Sequence, residues 1–260
     1  MKTIAIINMK GGVGKTTNSI MTANCLAARG LKILFLDCDP NNSATMYYTS
    51  GIEGIKDKIE RQNVFEALSH NSTEGYSIPS KIKNVDIIPS HLNIFKLRGI
   101  GYNELQKTLR TVHGYDFVII DSAPTYDNIV INSLIAADII LTPIRFTSFD
   151  YTTTCFLQKQ IYDDAPSQID KWYLLYSDWV DSYTRFSDSL QSQFVELFES
   201  TFQNILDVHI PRSPIAQNYT QVEGFCVSTE SHVIGSKRLA IEFNKLCNML
   251  CGEEKNVEKF

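Results

Sequence analysis

The chain has 260 residues and a net charge of −5, from 24 Lys and Arg against 29 Asp and Glu, and 43% of its residues are hydrophobic. A chain of this size and apolar content buries a sizeable core, which excludes disordered and fibrous proteins. The acidic balance argues against a polybasic nucleic-acid-binding protein, but not against a local basic patch. No apolar run approaches the roughly 18 residues of a membrane span, and no secretory leader pattern is present. We therefore expect a soluble cytoplasmic protein.

Six short apolar runs alternate with segments of helix length. Runs rich in Ile, Val, Leu and Phe are typical of strands buried on both faces of a parallel sheet. The expected strands are Thr3–Asn8, Lys32–Asp37, Val85–Pro89, Asp116–Asp121, Asp138–Pro143 and Trp172–Ser177. The expected helices are Thr17–Arg29, Asn103–Val112, Asn128–Ala137 and Arg185–Leu206, the last with one apolar face. The alternation predicts an α/β fold, a single doubly wound domain with a mostly parallel sheet.

The domain is expected to span residues 1–251, followed by a charged and frayed tail over 252–260. Ile52–Ser80 is polar and is predicted to be a long connection with a short helix around Val64–Leu68. The six cysteines form no Cys-x-x-Cys pair, and no histidine lies near one at zinc-ligand spacing. Cys247 and Cys251 share one face of an expected helix. We interpret them as buried or idle thiols in a reducing compartment.

The sequence NMKGGVGKTT at residues 8–17 directly follows the first strand and opens a helix. A glycine-rich backbone there can curl so that consecutive N–H groups point at phosphate oxygens. Lys15 would reach the β- and γ-phosphates, and the Thr16 hydroxyl would bind Mg²⁺. Met9 departs from the strict GxxxxGK[ST] pattern, which has a glycine there. The expected nucleotide-binding residues of the loop are Lys10, Gly11, Gly12, Val13, Gly14, Lys15, Thr16 and Thr17.

The segment KGGVGKTT, with Lys10 ahead of its glycines, resembles the deviant Walker A loop of the ParA/MinD family of P-loop ATPases. The resemblance implies ATP and Mg²⁺ as cofactors, weak and partner-stimulated ATP hydrolysis, and a homodimer in the ATP state. It also implies a catalytic role for Lys10, which would reach across the dimer to the partner's phosphates. There its ammonium would neutralise charge developing on the transferred phosphoryl group.

Two carboxylate segments follow strands. Leu36–Asn41 (LDCDPN) resembles the LDxDPQ switch of the family, which implies that Asp39 orients the attacking water and Asp37 supports the Mg²⁺ shell. The alternative is that both aspartates cap a helix beginning near Asn42. Phe117–Asp121 (FVIID) has the Walker B pattern, in which Asp121 holds a Mg²⁺-bound water.

The resemblance covers residues 1–145 well and is thinner afterwards. Ile210-Pro211-Arg212 resembles a family segment near the adenine, which adds Pro211 and Arg212 to the expected nucleotide-binding residues. The alternative is a turn after a short strand. The apolar helix expected over Leu239–Leu250 is flanked by glutamates that an anionic membrane would repel, so we do not expect membrane binding.

Within the family, the sequence resembles the short, Soj-like ParA proteins, and two hypotheses about its function remain. One is a partition ATPase that binds DNA non-specifically, associates with the nucleoid and responds to a ParB-like activator. The other is a MinD-like adaptor that positions a protein or membrane cargo without binding DNA. Residues 144–260 hold 10 Lys and Arg against 16 Asp and Glu, so only a local DNA-binding patch is expected. Its candidate residues are Arg185, Arg212, Lys237 and Arg238.

Overall fold

The computed structural model describes residues 1–180, 185–213 and 237–252, without the side chains of Arg98 and of residues 185–189. Its strands are β1 (Lys2–Ile6), β2 (Ile33–Cys38), β3 (Ile78–Pro79), β4 (Val85–Ile88), β5 (Phe117–Ser122), β6 (Ile139–Ile144), β7 (Trp172–Trp179) and β8 (Ile205–Pro211). They form one sheet in the order β3-β4-β2-β5-β1-β6-β7-β8. β3 and β4 are antiparallel, and every other neighbouring pair is parallel.

The helices are α1 (Lys15–Ala28), α2 (Ser43–Thr49), α3 (Ile55–Arg61), α4 (Val64–Ser69), α5 (Glu104–Leu109), α6 (Asn128–Ala136), α7 (Ser148–Asp164), α8 (Arg185–Thr201) and α9 (Lys237–Cys251). Short 3₁₀ helices cover Leu92–Gly99 and Pro166–Lys171. In the described part of the chain, no helix is long and apolar enough to cross a membrane.

The core consists of two apolar layers, one on each face of the sheet. Ile4 and Ile6 of β1 face the layer that contains α1, α2 and α9, whereas Ala5 and Ile7 face the layer of α4 to α8. This follows from the two-residue repeat of a strand, and it explains why the central strands are apolar at almost every position. The carboxyl ends of the parallel strands therefore meet at one edge, where α/β proteins bind ligands.

The predicted fold class is confirmed, and all six predicted strands are present with ends shifted by at most two residues. The predicted helix Arg185–Leu206 is wrong at its end, because α8 stops at Thr201 and β8 begins at Ile205. The carbonyl of Asn204 accepts a hydrogen bond from the Leu174 amide, at 2.8 Å, and this draws the chain into the sheet.

The interpretation of Ile52–Ser80 as a connection with one short helix is also wrong, because it holds α3, α4 and β3. Nothing predicted α7. Two large apolar side chains of α7, Phe149 and Phe156, are exposed, which hides its helical periodicity in the sequence. Cys247 is buried and Cys251 half-buried on α9, and neither forms a disulfide with another described cysteine. Cys226 and the predicted tail from residue 253 onward lie outside the described residues.

Candidate functional site

The loop between β1 and α1 is held by Asn8. Its side-chain amide donates to the carbonyl of Pro143, at 2.7 Å, and its side-chain oxygen accepts from the Lys10 amide, at 2.8 Å. Gly12 and Gly14 have φ angles of 75° and 95°, in the left-handed region that favours glycine. A Cβ on Gly14 would also lie 3.3 Å from the side-chain nitrogen of Asn18. The glycines thus allow the curl that was expected of a phosphate-binding loop.

Lys15 begins α1 with a buried side chain, and its Nζ donates to the carbonyl of Lys10 at 3.1 Å. Burial lowers the pKa of this ammonium, and the carboxylates of Asp121 and Asp39 partly oppose that effect. A buried cation with one neutral acceptor gains more from an anion than an exposed lysine does. The site therefore suits a phosphate placed against the start of α1.

Three buried carboxylates face this loop from neighbouring strands. Asp37 and Asp121 are the penultimate residues of β2 and β5 and lie at paired positions of the sheet, and Asp39 follows two residues after Asp37. Asp37 accepts from the amide and the hydroxyl of Thr45, at 2.8 and 2.7 Å, and from the Asp39 amide at 3.1 Å. Burial raises the pKa of Asp37 to about 6, and these hydrogen bonds limit the rise.

Asp121 accepts from the Ser19 hydroxyl at 2.9 Å through one oxygen. Its other oxygen is buried and has no described partner within 3.5 Å, although the nearby Thr16 hydroxyl lowers the pKa of this carboxyl. Burial, and secondarily the charge of Asp37, raises the pKa of Asp121 to about 7. A buried carboxylate oxygen without a partner is costly and marks a place for a cation or a cation-bound water.

These residues fit Mg²⁺. The described residues contain no cluster of three or more His, Cys, Asp or Glu side chains able to hold a metal by themselves. Mg²⁺ does not need one, because it is usually bound through one or two protein oxygens, several waters and the phosphates of the substrate. The Thr16 hydroxyl, Asp37 and Asp121 would supply the protein oxygens or position the waters, as the sequence predicted.

Asp39 leads into the turn before α2. Its side chain is 7% exposed and accepts from the Asn41 amide at 2.9 Å. With Pro124 and Asp127, it lines a cavity between the loops that follow β2 and β5. The alternative in which both aspartates cap α2 holds only for Asp37, which binds Thr45 in the first turn, while Asn42 occupies the cap position. Asp39 therefore remains available to a ligand in the cavity.

Lys10 forms an ion pair within the chain. Its Nζ lies 2.6 Å from Oδ2 of Asp150, a fully buried residue in the first turn of α7. Asp150 also accepts from the hydroxyl of Thr147, which caps that helix. Sequence reasoning missed Asp150, although Thr147 and Asp150 stand at the three-residue spacing of a capping box.

Pro211 ends β8 at the same edge of the sheet, and Arg212 follows it. The Nε and Nη2 of Arg212 each donate to one oxygen of Asp178, both at 2.9 Å. Asp178 has a φ of 68°, unusual for a residue other than glycine, and lies 3.9 Å from Nε of Arg145. Arg212 is thus held beside the expected adenine position by a partner that no sequence pattern indicated.

The four candidate DNA-binding residues do not form one cluster. Arg185 and Lys237 begin helices on opposite faces of the sheet, and the Arg185 side chain lies outside the described part. Lys237 is exposed, and Arg238 follows it. Arg212 is more than half exposed but already pairs with Asp178. The only adjacent pair among the four is Lys237 and Arg238.

A family model described as "AAA domain" matches residues 1–162, which is more than half of the chain. The sporulation initiation inhibitor protein Soj of Bacillus subtilis is 35% identical over 152 residues, which cover 55% of this chain and 58% of Soj. The chain thus matches little more than half the length of this curated relative.

Two solved structures share the whole fold. A plasmid partition protein of Borrelia burgdorferi bound to AMPPNP superposes with a TM-score of 0.78 at 21% identity, covering 97% of this chain and 99% of the other. Cobyrinic acid a,c-diamide synthase of Mycobacterium smegmatis, with ADP and magnesium bound, gives 0.74 at 19% identity, covering 96% and 94%. At these identities the likeness concerns the fold, which hosts more than one activity. On the family match and the similarity to Soj, the chain belongs to the AAA domain family, as a ParA/Soj-like member of the P-loop ATPases.

Proposed function

We propose that the protein is an ATP-dependent dimerising switch that hydrolyses ATP to ADP and phosphate and positions plasmid or chromosomal DNA. One observation carries the proposal: two lysines, Lys10 and Lys15, and three buried carboxylates surround a glycine loop at the start of α1. This arrangement combines cations for the phosphates, oxygens for a divalent cation and a carboxylate for a water molecule. All three are required for phosphoryl transfer to water.

The described residues have separate roles in this reaction. Lys15 and the N–H groups at the start of α1 bind the β- and γ-phosphates. Thr16, Asp37 and Asp121 hold Mg²⁺, which supplies positive charge against the phosphates when it is bound. Asp39 orients the attacking water, and the hydrogen bond that its carboxylate accepts from the Asn41 amide keeps it in place. Pro211 and Arg212 flank the adenine.

Lys10 gives the switch its dependence on the dimer. Its ammonium lies at the mouth of the site and is about one third exposed, so it can leave Asp150 for the phosphates of a facing subunit. A cation supplied across an interface accelerates hydrolysis only in the assembled state. We therefore propose a homodimer in the ATP state. We also propose an activating partner of the ParB type, which promotes the movement of the Lys10 ammonium from Asp150 to the phosphates of the facing subunit.

The DNA-positioning role is supported by the similarity to Soj and to a plasmid partition protein. The acidic balance of residues 144–260 favours the second candidate, an adaptor that positions a protein or membrane cargo without binding DNA. A filter-binding assay with plasmid DNA, with and without ATP, separates the two. DNA retention that requires ATP supports the partition switch, whereas no retention at low salt, from a protein that still binds ATP, supports the adaptor.

A further inference from the structure

A second cavity, of about 520 Å³, lies between α1 and α2 next to the phosphate-binding loop. Ile20, Met46 and the ring of Tyr47 form its apolar part, and Thr17, Ser50 and Lys81 supply polar groups. This volume is in the range of sites for small organic molecules, which are typically apolar with a few placed polar groups.

The cavity is separate from the expected nucleotide path. Asn18 of α1 faces β7, where its side-chain nitrogen lies 3.4 Å from the hydroxyl of Ser177, the residue before Asp178, which binds Arg212. Ile20 comes two residues after Asn18, which places it about 200° around the helix. The base is therefore expected on one side of α1, and this cavity opens on the other.

The charges of the cavity favour an anion. Lys81 is the only charged residue among the described residues that line it, and no carboxylate does. Its Nζ donates to the Ser50 hydroxyl at 2.8 Å and lies 4.8 Å from the centre of the Tyr47 ring. The Tyr47 hydroxyl in turn accepts from Asn24 of α1 at 2.8 Å. The ammonium is thus held over a fixed aromatic surface, with a hydroxyl beside it.

We propose that this cavity binds a small amphipathic anion, a carboxylate or phosphomonoester that carries an aromatic or aliphatic group. The anionic group pairs with Lys81 and Ser50, and the apolar group lies on Tyr47, Met46 and Ile20. Thr16 and Thr17 border both this cavity and the phosphate-binding loop. Occupancy therefore changes the affinity for nucleotide, and nucleotide changes the affinity for the anion by the same factor.

The test uses the aromatic sulfonate 8-anilinonaphthalene-1-sulfonate as the probe, titrated into the full chain by fluorescence with and without saturating ADP and Mg²⁺. Lys81→Met removes the charge and keeps the length, and we expect at least about tenfold weaker binding, from the loss of a charge-assisted contact. Ser50→Asp, at an exposed position, should weaken binding at least as much because its carboxylate pairs with Lys81. Lys83→Met is the matched control, since Lys83 is exposed on the same turn but lies outside the cavity.

Equal affinities of the Lys81→Met and Lys83→Met variants would overturn the proposal. So would simple competition by ADP, because the probe would then occupy the nucleotide site. Binding that persists with ADP and depends on Lys81 supports it. The affinity of each variant for ADP is measured separately with a fluorescent nucleotide. If the protein does not bind ADP, this contradicts the proposed function and not the proposal for this cavity.

Discussion

Lys10 and Asp150 lie 140 residues apart and form an ion pair with 2.6 Å between Nζ and Oδ2. The carboxylate is fully buried and the lysine is partly exposed. Solvent and salt therefore screen the charge of Lys10 but have little access to that of Asp150. Thr147 and the start of α7 fix Asp150 in place. The lysine that is proposed to act on another subunit is therefore already bound within its own chain, and the proposed dimer would have to break this contact.

Asp150→Asn should make ATP-dependent dimerisation easier. The amide keeps the shape of the carboxylate but removes the charge that holds Lys10, and such a bond contributes about 1.5–3 kcal/mol. Because Lys10 is partly exposed, we expect a smaller effect, a roughly threefold to tenfold tighter dimer. Analytical ultracentrifugation with ATP and Mg²⁺ measures it. Asp163→Asn, exposed on the same helix, is the control, and an unchanged dimer affinity for Asp150→Asn would show that the contact does not restrain Lys10.

Replacement of Lys15 and replacement of Lys10 should impair different steps, ATP binding in the first case and stimulated hydrolysis in the second. Lys15 is buried against the loop and acts within its own subunit, so Lys15→Ala is expected to abolish ATP binding. Lys10→Ala should retain ATP binding in the monomer but lose stimulated hydrolysis by at least roughly tenfold, as trans-acting cations do. Titration with a fluorescent nucleotide and phosphate-release kinetics separate the two effects. If both variants bind ATP equally poorly, the role of Lys10 across the dimer is wrong.

The phosphate loop and its carboxylates could be predicted because their function depends on residues adjacent in sequence and on strand ends. Asp37 and Asp121 close apolar runs, Lys15 lies in the loop that follows another, and parallel strands bring such ends together. Asp150 and Asp178 could not be found in the same way. Their partners, Lys10 and Arg212, lie 140 and 34 residues away, and only the packing of α7 and the end of β8 brings them into contact.

Asp39→Ala should trap the ATP-bound dimer. Removing a carboxylate that positions water slows the chemical step more than it weakens ground-state binding. Asp39 lines the cavity between the two loops, and its carboxylate accepts from the backbone amide of Asn41, so we expect its loss to leave Asp37 and Asp121 in place. Size-exclusion chromatography with ATP and Mg²⁺ should show a persistent dimer, with the ADP-bound protein as control. A variant that stays monomeric with ATP while the unmodified chain dimerises would indicate a structural role for Asp39.

Asp121 should destabilise the nucleotide-free protein near neutral pH. Its pKa is about 7 in the folded protein and about 3.9 in an unfolded chain, so the folded state binds the extra proton between these values. The free energy of unfolding therefore falls as pH rises from about 4 to 7, and Asp37 adds to this fall up to about pH 6.

Asp121→Asn removes this cost. In chelator at pH 7.5 we expect the Tm of the variant to lie at least about 2 °C above that of the unmodified chain, with the gain shrinking toward pH 5. With Mg²⁺ and ATP the order should reverse, because the amide holds a cation-bound water poorly. Calorimetric scans across pH measure both, and Asp57→Asn on the exposed helix α3 is the control. A gain that is independent of pH would show that ionisation of Asp121 is not its cause.

The last prediction concerns DNA, where the similarity to partition proteins and the charge of the chain disagree. Residues 144–260 have a net charge of −6, and residues 1–143 a net charge of +1. Non-specific affinity for DNA depends on phosphate neutralisation and falls with log salt at a slope of about −0.9 per phosphate contacted. Among the candidate residues, Lys237 and Arg238 are adjacent at the start of α9, and this makes them the best patch. One such patch binds weakly, but an ATP dimer carries two, and paired sites bind better through effective concentration.

We therefore expect weak DNA binding that requires ATP and disappears within a few-fold rise in salt. The double variant Lys237→Glu/Arg238→Glu should abolish it and leave ATP-dependent dimerisation intact. Lys56→Glu/Lys58→Glu, which reverses two exposed charges on α3, is the matched control and should bind DNA normally. Filter binding over a salt series measures the DNA affinity of each variant, and size-exclusion chromatography with ATP confirms the dimer. DNA binding of equal strength without nucleotide would refute this prediction. Equal loss of binding in both double variants would refute the assignment of DNA binding to α9, because the effect would then follow net charge and not position.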